Sequence, residues 1–197
     1  MNIVLIGDSI RMGYQPLVSK LLKGKATVWG PGDNCRHSLC ILDNFQGWII
    51  DRKPDILHIN CGLHDAAEDV FSDGKAQVLM SQYEINLRRI VQKTKQFLPE
   101  TTMIWAMTTP RFLYAYEPRH LPFNQWKPKK NIAQYNACAR QVMRANKILV
   151  NDLHEVIVKN DFKKCMQSVD GLHMTAFGSE VLADAVTRII LSVKNND

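Results

Sequence analysis

Short apolar runs alternate along this chain with longer stretches in which apolar residues recur every three or four positions. The short runs predict buried parallel strands, because a strand covered on both faces reads as a continuous apolar segment. They lie at residues 3–6, 26–29, 56–59, 103–107 and 148–150. The longer stretches predict helices, because their spacing places the apolar side chains on one helical face. They lie at residues 14–22, 38–50, 82–98, 132–145 and 175–193.

Strands that alternate with helices predict a parallel sheet that is covered by helices on both sides. The pattern runs through all 197 residues without an internal repeat, a low-complexity segment or an interdomain linker. A chain of this length can bury a sizeable core within one domain. We therefore predict a single α/β domain over residues 1–197.

Composition excludes several classes of protein. Apolar residues make up 46% of the chain and charged residues 22%, which is ordinary for a soluble globular protein. The net charge of +6 is spread along the chain without a basic run interleaved with aromatic residues, so nucleic-acid binding is not favoured. No apolar stretch approaches the roughly 20 residues of a membrane span, and Met1 leads directly into the first strand. We expect a cytoplasmic protein without nucleic-acid or membrane partners.

The cysteines are five in number and irregularly spaced, which argues against a disulfide framework and favours reduced thiols. Cys61 and His64 lie close together, but no second pair of ligands with zinc-like spacing follows them. We therefore expect no metal site.

The segment Gly7-Asp8-Ser9 follows the first predicted strand and precedes a helical stretch. A serine there lies at the carboxyl edge of the sheet, where open α/β folds bind ligands. It also lies at a helix N-terminus, whose free backbone N–H groups favour negative charge. The alternative is that Asp8 or Ser9 only caps the helix. A nucleophilic serine further needs a base, a group that orients the base, and donors for the oxyanion.

Asp170 and His173 are a candidate acid and base just before the last predicted helix. Their spacing lets one turn of chain bring the carboxylate beside the imidazole, where it can hold the ring tautomer and stabilise the cationic form. The alternative is that Asp170 is a turn residue, Thr175 caps the last helix, and His173 is a solvated bystander.

Two further segments follow strands at the same predicted edge. In residues 62–65 (Gly-Leu-His-Asp), a ring N–H of His64 can donate to an oxyanion, or Asp65 can simply cap a short helix. In residues 30–34 (Gly-Pro-Gly-Asp-Asn), glycine allows a backbone N–H to approach closely. The second segment matches neither GxGxxG nor a P-loop, so a nucleotide binder is not supported.

Taken together, these four segments resemble the sequence blocks of the SGNH (GDSL-type) hydrolases. Residues 7–9 are similar to the block that carries the nucleophile, and residues 170–173 to the block that carries the acid and base. Residues 30–34 fall where the family has its glycine block. Residues 62–65 fall where the family usually reads Gly-x-Asn-Asp, so a histidine stands in the place of the usual asparagine. The resemblance extends from residue 3 to about residue 186.

The resemblance implies a flavodoxin-like three-layer α/β/α fold, with a five-stranded parallel sheet in the order 2-1-3-4-5. It implies acyl-ester hydrolysis without a metal or organic cofactor, in which Ser9 attacks, His173 moves the proton and Asp170 orients His173. The oxyanion hole would comprise the backbone N–H of Ser9, a backbone N–H of the second block and the side chain of His64. Gly32 is the first candidate in the second block, because Gly32 and its neighbour resemble the family's Gly-Asp pair. Asn34, which is also well placed, and Gly30 are the alternatives.

Arg11, Asn34 and Asp65 are candidates for contacts with the substrate. Arg11 could bind an anionic group of the substrate, form a surface ion pair or brace a loop. The resemblance favours short-chain acyl esters, acetyl esters in particular, with a small molecule or a carbohydrate as the alcohol. The alternatives are a thioesterase or lysophospholipase with the same triad, and a non-enzymatic binding module on the same fold.

Two longer irregular segments, residues 62–74 and 109–130, follow the third and fourth predicted strands. Loops at this edge usually carry substrate contacts. The second segment contains aromatic residues that either pack the loop onto the body or line a binding cleft. These are Phe112, Tyr114, Tyr116, Phe123 and Trp126.

Overall fold

A computed structural model of the chain describes residues 1–67, 75–111, 131–167 and 170–194. Five parallel strands form one sheet in the order β2-β1-β3-β4-β5, which confirms the predicted flavodoxin-like α/β fold. Each strand lies within one residue of its predicted bounds at either end. The strands are β1 Asn2–Ile6, β2 Thr27–Trp29, β3 Ile56–Ile59, β4 Thr102–Ala106 and β5 Leu149–Asn151. The aromatic segment at residues 112–130 and part of the earlier loop, residues 68–74, lie outside the described residues.

Helices cover both faces of the sheet, and each face has its own apolar core. One layer contains α2 Ser38–Asp43, α3 Phe45–Trp48, α5 Met80–Phe97 and α6 Asn131–Ala145. The opposite layer contains α1 Ser9–Leu21, α7 Leu153–Lys159, α8 Phe162–Cys165 and α9 Ala176–Lys194. Side chains of β1 alternate between the two cores, as a strand buried on both faces requires.

The predicted helix at residues 38–50 is broken into α2, α3 and a 3₁₀ turn at Ile50–Arg52. The amide of Asn44 donates to the Cys40 carbonyl oxygen at 2.9 Å, and its backbone leaves the helical region at φ −102° and ψ 12°. A side chain that bonds to the helix backbone in this way competes with the regular helical ladder. The apolar periodicity continues across the break, because Ile41, Phe45 and Ile49, which are four residues apart, are all buried.

Register places the candidate segments at one edge. Ile6 of β1 lies beside Ile59 of β3, so both strands end at the same level. The short helix α4, Leu63–Ala66, follows β3 at this edge, and it was not predicted as a separate element. Because β1 lies between β2 and β3, the loops that follow β2 and β3 flank the residues that follow β1. None of the helices in the described parts of the chain is long and apolar enough to cross a membrane.

Candidate active site

Ser9 is the first residue of α1 and lies half-buried at the carboxyl edge of the sheet. The helix is capped by Asp8, whose Oδ1 accepts from the backbone N–H of Ile10 at 2.9 Å. Of the two candidate caps, Asp8 therefore takes this role. The hydroxyl of Ser9 lies instead 3.0 Å from Nε2 of His173.

The carboxylate of Asp170 binds both the ring and the backbone of the turn that follows it. Its Oδ2 lies 2.6 Å from Nδ1 of His173. Its Oδ1 accepts from the backbone N–H groups of Leu172 at 2.8 Å and His173 at 3.0 Å. Gly171, which separates Asp170 from Leu172, has a φ of 59°, a conformation that glycine adopts without strain. Asp170 is therefore both the turn residue and the partner of the ring, two roles that the sequence presented as alternatives.

Hydrogen bonding keeps Asp170 charged. Burial alone would raise the pKa of Asp170, but the hydrogen bonds from the His173 ring and from the backbone of His173 and Leu172 outweigh it and lower that pKa. A carboxylate can only accept, so Nδ1 of His173 carries the hydrogen. In the neutral ring, Nε2 then presents its lone pair to the Ser9 hydroxyl, which is the arrangement a general base needs.

The segment that carries His173 is tied to α8. The backbone N–H of Gln167 donates to the His173 carbonyl at 2.8 Å, and the N–H of Thr175 donates to the Cys165 carbonyl at 2.8 Å. Thr175 also caps α9, because its Oγ1 accepts from the N–H of Gly178 at 3.1 Å. A side chain at Gly178 would collide with the Cys165 backbone, so this close approach requires glycine. These bonds hold the imidazole opposite Ser9.

The buried side chain of Arg11 braces the loop after β2. It is 2% exposed, and its guanidinium donates to the carbonyl oxygens of Pro31 at 2.8 Å and Asp33 at 2.7 Å. It also donates to Gln15 Oε1 at 2.8 Å and, more weakly, to the Gly7 carbonyl. The structure thus favours the loop-bracing role over the predicted substrate contact, because the donors of Arg11 are used inside the fold.

Asp65 likewise lies inside the protein. It is fully buried, and its Oδ1 accepts from the backbone N–H of Ser38 at 2.9 Å and from its hydroxyl at 2.5 Å. Burial raises the pKa of Asp65, although both bonds from Ser38 oppose the rise. Asp65 therefore fastens α4 to the start of α2. The predicted substrate contact is corrected to this structural role, because the carboxylate has no exposed surface.

Asn34 and His64 meet at the edge of the sheet, with Nδ2 of Asn34 3.4 Å from Nε2 of His64. Burial lowers the pKa of His64, and the nearby charge of Asp8 only partly opposes this.

Asp8 was not predicted as a site residue beyond capping. Its own pKa is raised by burial, and no local sequence signal distinguishes such a carboxylate from an ordinary cap.

The two glycines of the second segment differ. Gly32 is exposed, and a Cβ atom there would point into open space. A Cβ atom at Gly30 would instead collide with Gln15 and approach the Leu5 carbonyl to 2.6 Å. Close packing therefore requires glycine at position 30, whereas position 32 faces solvent and has room for a side chain.

Among the described residues, no group of three or more His, Cys, Asp or Glu side chains could hold a metal ion.

Comparison with known proteins gives a consistent result. A model of the GDSL-like lipase/acylhydrolase family matches residues 5–181, a range that includes all four candidate segments. A GDSL esterase/lipase of Arabidopsis thaliana is 27% identical in an alignment of 210 positions that covers 95% of this chain and 84% of the relative.

Two solved structures are similar in fold. The lipase/acylhydrolase from Enterococcus faecalis has a TM-score of 0.75 at 23% identity, with 96% of this chain and 94% of that chain covered. The acetylxylan esterase Axe2 from Geobacillus stearothermophilus has a TM-score of 0.74 at 20% identity, with 95% and 92% covered.

Proposed function

This chain belongs to the GDSL-like lipase/acylhydrolase family, a family of carboxylic ester hydrolases, and we propose that it is a serine esterase acting on short-chain acyl esters. Ser9 is the proposed nucleophile, His173 the base and Asp170 the residue that orients the base. Acetyl is the proposed acyl group, and a carbohydrate is the proposed alcohol. The reaction uses neither a metal ion nor an organic cofactor, because side chains and backbone supply the nucleophile, the base and the oxyanion donors.

One observation carries this proposal: an unbroken chain of contacts from the Ser9 hydroxyl through His173 to Asp170. The two links measure 3.0 Å and 2.6 Å and use the two different nitrogens of the ring. A serine hydroxyl is a weak nucleophile by itself, and such a chain is the arrangement that activates it. If the serine only capped a helix, neither link would be required.

The proposed reaction begins when Ser9 Oγ attacks the ester carbonyl carbon and its proton passes to Nε2 of His173. The carbonyl π electrons move onto oxygen, and Asp170 stabilises the imidazolium that forms. When the tetrahedral intermediate collapses, the bond to the alcohol oxygen breaks and His173 protonates that oxygen. A water molecule then attacks the acyl-enzyme by the same route, which releases the carboxylic acid and restores Ser9.

The negative charge on the carbonyl oxygen needs donors aimed at it. We place these donors at the carboxyl ends of the three neighbouring strands β2, β1 and β3. They are the backbone N–H of Ser9 at the start of α1, a backbone N–H of the loop after β2 with Gly32 as the candidate, and one side-chain N–H at the contact between Asn34 and His64. The N-terminus of α1 adds a favourable field for the same charge.

The proposed acyl and alcohol groups rest on similarity. The Geobacillus stearothermophilus relative in fold is an acetylxylan esterase, and a second fold relative, AlAXEase, is an acetyl xylan esterase as well. A small acetyl group also suits an active-site serine that is itself half-buried. Thioesterase or lysophospholipase activity would use the same residues on a different substrate.

The experiment is a chain-length profile. Wild type and Ser9→Ala are compared on p-nitrophenyl acetate, butyrate, octanoate and laurate, and on acetylated xylo-oligosaccharides. We expect the highest Ser9-dependent kcat/KM on acetate and Ser9-dependent release of acetate from the oligosaccharides. A maximum at octanoate or laurate contradicts the acetyl assignment and favours a lipid substrate. A wild type that neither turns over nor reacts with a fluorophosphonate at Ser9 favours the binding module.

A further inference from the structure

The amide of Asn34 is held in one orientation. Its Oδ1 accepts from the backbone N–H of Arg36 at 2.8 Å. The amide nitrogen can only donate, so it could not replace Oδ1 in this bond. The NH₂ group must therefore face His64, 3.4 Å from Nε2 of that ring.

The orientation of Asn34 decides what His64 can do. Nε2 of His64 faces a donor, so it must accept, and the single N–H of the neutral ring lies on Nδ1. Burial lowers the pKa of His64, which keeps the ring neutral and leaves that lone pair in place. The nitrogen of His64 that faces Asn34 is therefore not a donor. The Asn34 amide has two hydrogens, and the bond to His64 uses only one of them. The second N–H is the donor that remains at this contact.

Three bonds tie the residues on either side of Asn34 to Gly7 and Arg11, which lie two residues before and after the nucleophile. The backbone N–H of the next residue, Cys35, donates to the carbonyl oxygen of Gly7 at 3.2 Å. The guanidinium of Arg11 holds the carbonyl oxygens of Pro31 and Asp33 on the other side of Asn34. Because β1 lies between β2 and β3, the contact between Asn34 and His64 spans the end of the strand that leads into Ser9.

We propose that Asn34 is a catalytic residue whose free amide N–H donates to the oxyanion, and that His64 is a positioning residue that accepts the other N–H. The inference rests on the proposed function, because the oxyanion forms only when Ser9 attacks an ester. An amide suits this role, since it is neutral and donates without a change of tautomer. The bond to His64 also polarises the amide and fixes its direction.

A double-mutant cycle tests this assignment. Steady-state hydrolysis of p-nitrophenyl acetate is measured for wild type, Asn34→Ala, His64→Ala and the double variant. We expect Asn34→Ala to lower kcat by about 10²-fold or more with little change in KM, as for a donor used only in the transition state. His64→Ala also lowers kcat, but the double variant is no slower than Asn34→Ala, because His64 acts through Asn34.

Two further variants separate a lost donor from a disturbed loop. Asn34→Asp can still accept from the Arg36 N–H but has no amide hydrogen, so its kcat falls at least as far as that of Asn34→Ala. His64→Gln offers a side-chain oxygen to Asn34 and retains more kcat than His64→Ala. The matched control is Asp33→Ala in the same loop, whose side chain is exposed and whose kcat stays within about twofold of wild type. Thermal unfolding of each variant confirms that it is folded.

The outcomes are distinct. Wild-type kcat in Asn34→Ala overturns the inference. A double variant whose kcat falls by about 10⁴-fold, the product of the two single losses, also overturns it, because His64 would then donate independently of Asn34. Either result leaves the esterase proposal intact as long as turnover depends on Ser9. Turnover that Ser9→Ala does not reduce contradicts the proposed function, and the inference falls with it.

Discussion

At the scale of single residues, the two oxygens of the Asp170 carboxylate bind different partners. Oδ1 is used by two backbone N–H groups, and Oδ2 by the ring of His173. The sequence could suggest this pair from its spacing, but it could not show that one carboxylate serves both turn and ring. It also could not settle the role of Arg11, because the exposure of a side chain depends on the loop that folds over it.

Asp170→Asn tests the orienting role. The amide oxygen of asparagine can still accept from the turn, but its NH₂ group then faces Nδ1 of His173 and favours the opposite tautomer. Nε2 would carry the hydrogen and could not take the proton of Ser9, so we expect kcat to fall by about 10⁴-fold.

The measurement is kcat for p-nitrophenyl acetate, with Asp161→Asn as the matched control. Asp161 is an exposed carboxylate paired with Lys164 at 3.5 Å, so its substitution leaves kcat unchanged. A loss of less than about tenfold in Asp170→Asn contradicts the orienting role.

At the scale of elements, apolar periodicity predicted the strands and the helices α5, α6 and α9 to within two residues, because an element buried on one face has regularly spaced apolar side chains. The first helix begins at Ser9, five residues before its predicted start, because Asp8 caps it there. Periodicity did not predict the break at Asn44, where a side-chain amide bonds to the Cys40 carbonyl. It also missed α4, α7 and α8, because helices of four to seven residues contain too few turns to show a period. Elements therefore follow from local pattern, whereas their exact ends follow from individual hydrogen bonds.

Arg11→Met tests the brace between α1 and the loop after β2. The substitution leaves the carbonyl oxygens of Pro31 and Asp33 without their donor, so we expect the free energy of unfolding to fall by about 3 kcal/mol. We also expect a lower kcat, because the loop carries Asn34. Urea unfolding and steady-state kinetics measure the two effects.

Arg88→Met is the control for this substitution. Arg88 lies on the surface of α5 and pairs with Glu84 at 2.7 Å, so its loss changes stability by less than about 1 kcal/mol. An Arg11→Met variant with wild-type stability and kcat would show that the loop holds its conformation without the guanidinium.

At the scale of the whole molecule, the order of the strands decides which residues meet. Alternating strands and helices predicted a parallel sheet, whereas the order 2-1-3-4-5 came from the family resemblance and is confirmed. The contact between Asn34 and His64 depends on that order, because their loops follow the two strands on either side of β1. Residues 30 positions apart in the chain carry no local signal of such a contact.

The sheet also contains a buried titratable group, His58 in β3. It is fully buried, and burial lowers its pKa to about 4. The ordinary pKa of histidine is about 6.5, so the unfolded chain takes up a proton at a higher pH than the folded protein. The free energy of unfolding is therefore unaffected by this group above about pH 6.5 and decreases as the pH falls from there toward 4.

His58→Gln tests this linkage. Between pH 7 and pH 5 we expect the free energy of unfolding of wild type to fall by about 2 kcal/mol more than that of the variant. Glutamine can keep a hydrogen bond to Asn151, which lies 3.2 Å from Nε2 of His58 in wild type. Urea unfolding at both pH values supplies the comparison, and equal falls in the two proteins would show that His58 is not the group responsible.

Ser9 is the proposed nucleophile, and its role is tested by measuring hydrolysis of p-nitrophenyl acetate by wild type and Ser9→Ala side by side. We expect clear turnover by wild type and, for a folded Ser9→Ala, a rate lower by at least about 10³-fold, since the nucleophile is lost while the rest of the site remains. Equal rates in the two proteins, or turnover that survives in Ser9→Ala, would show that Ser9 is not the nucleophile.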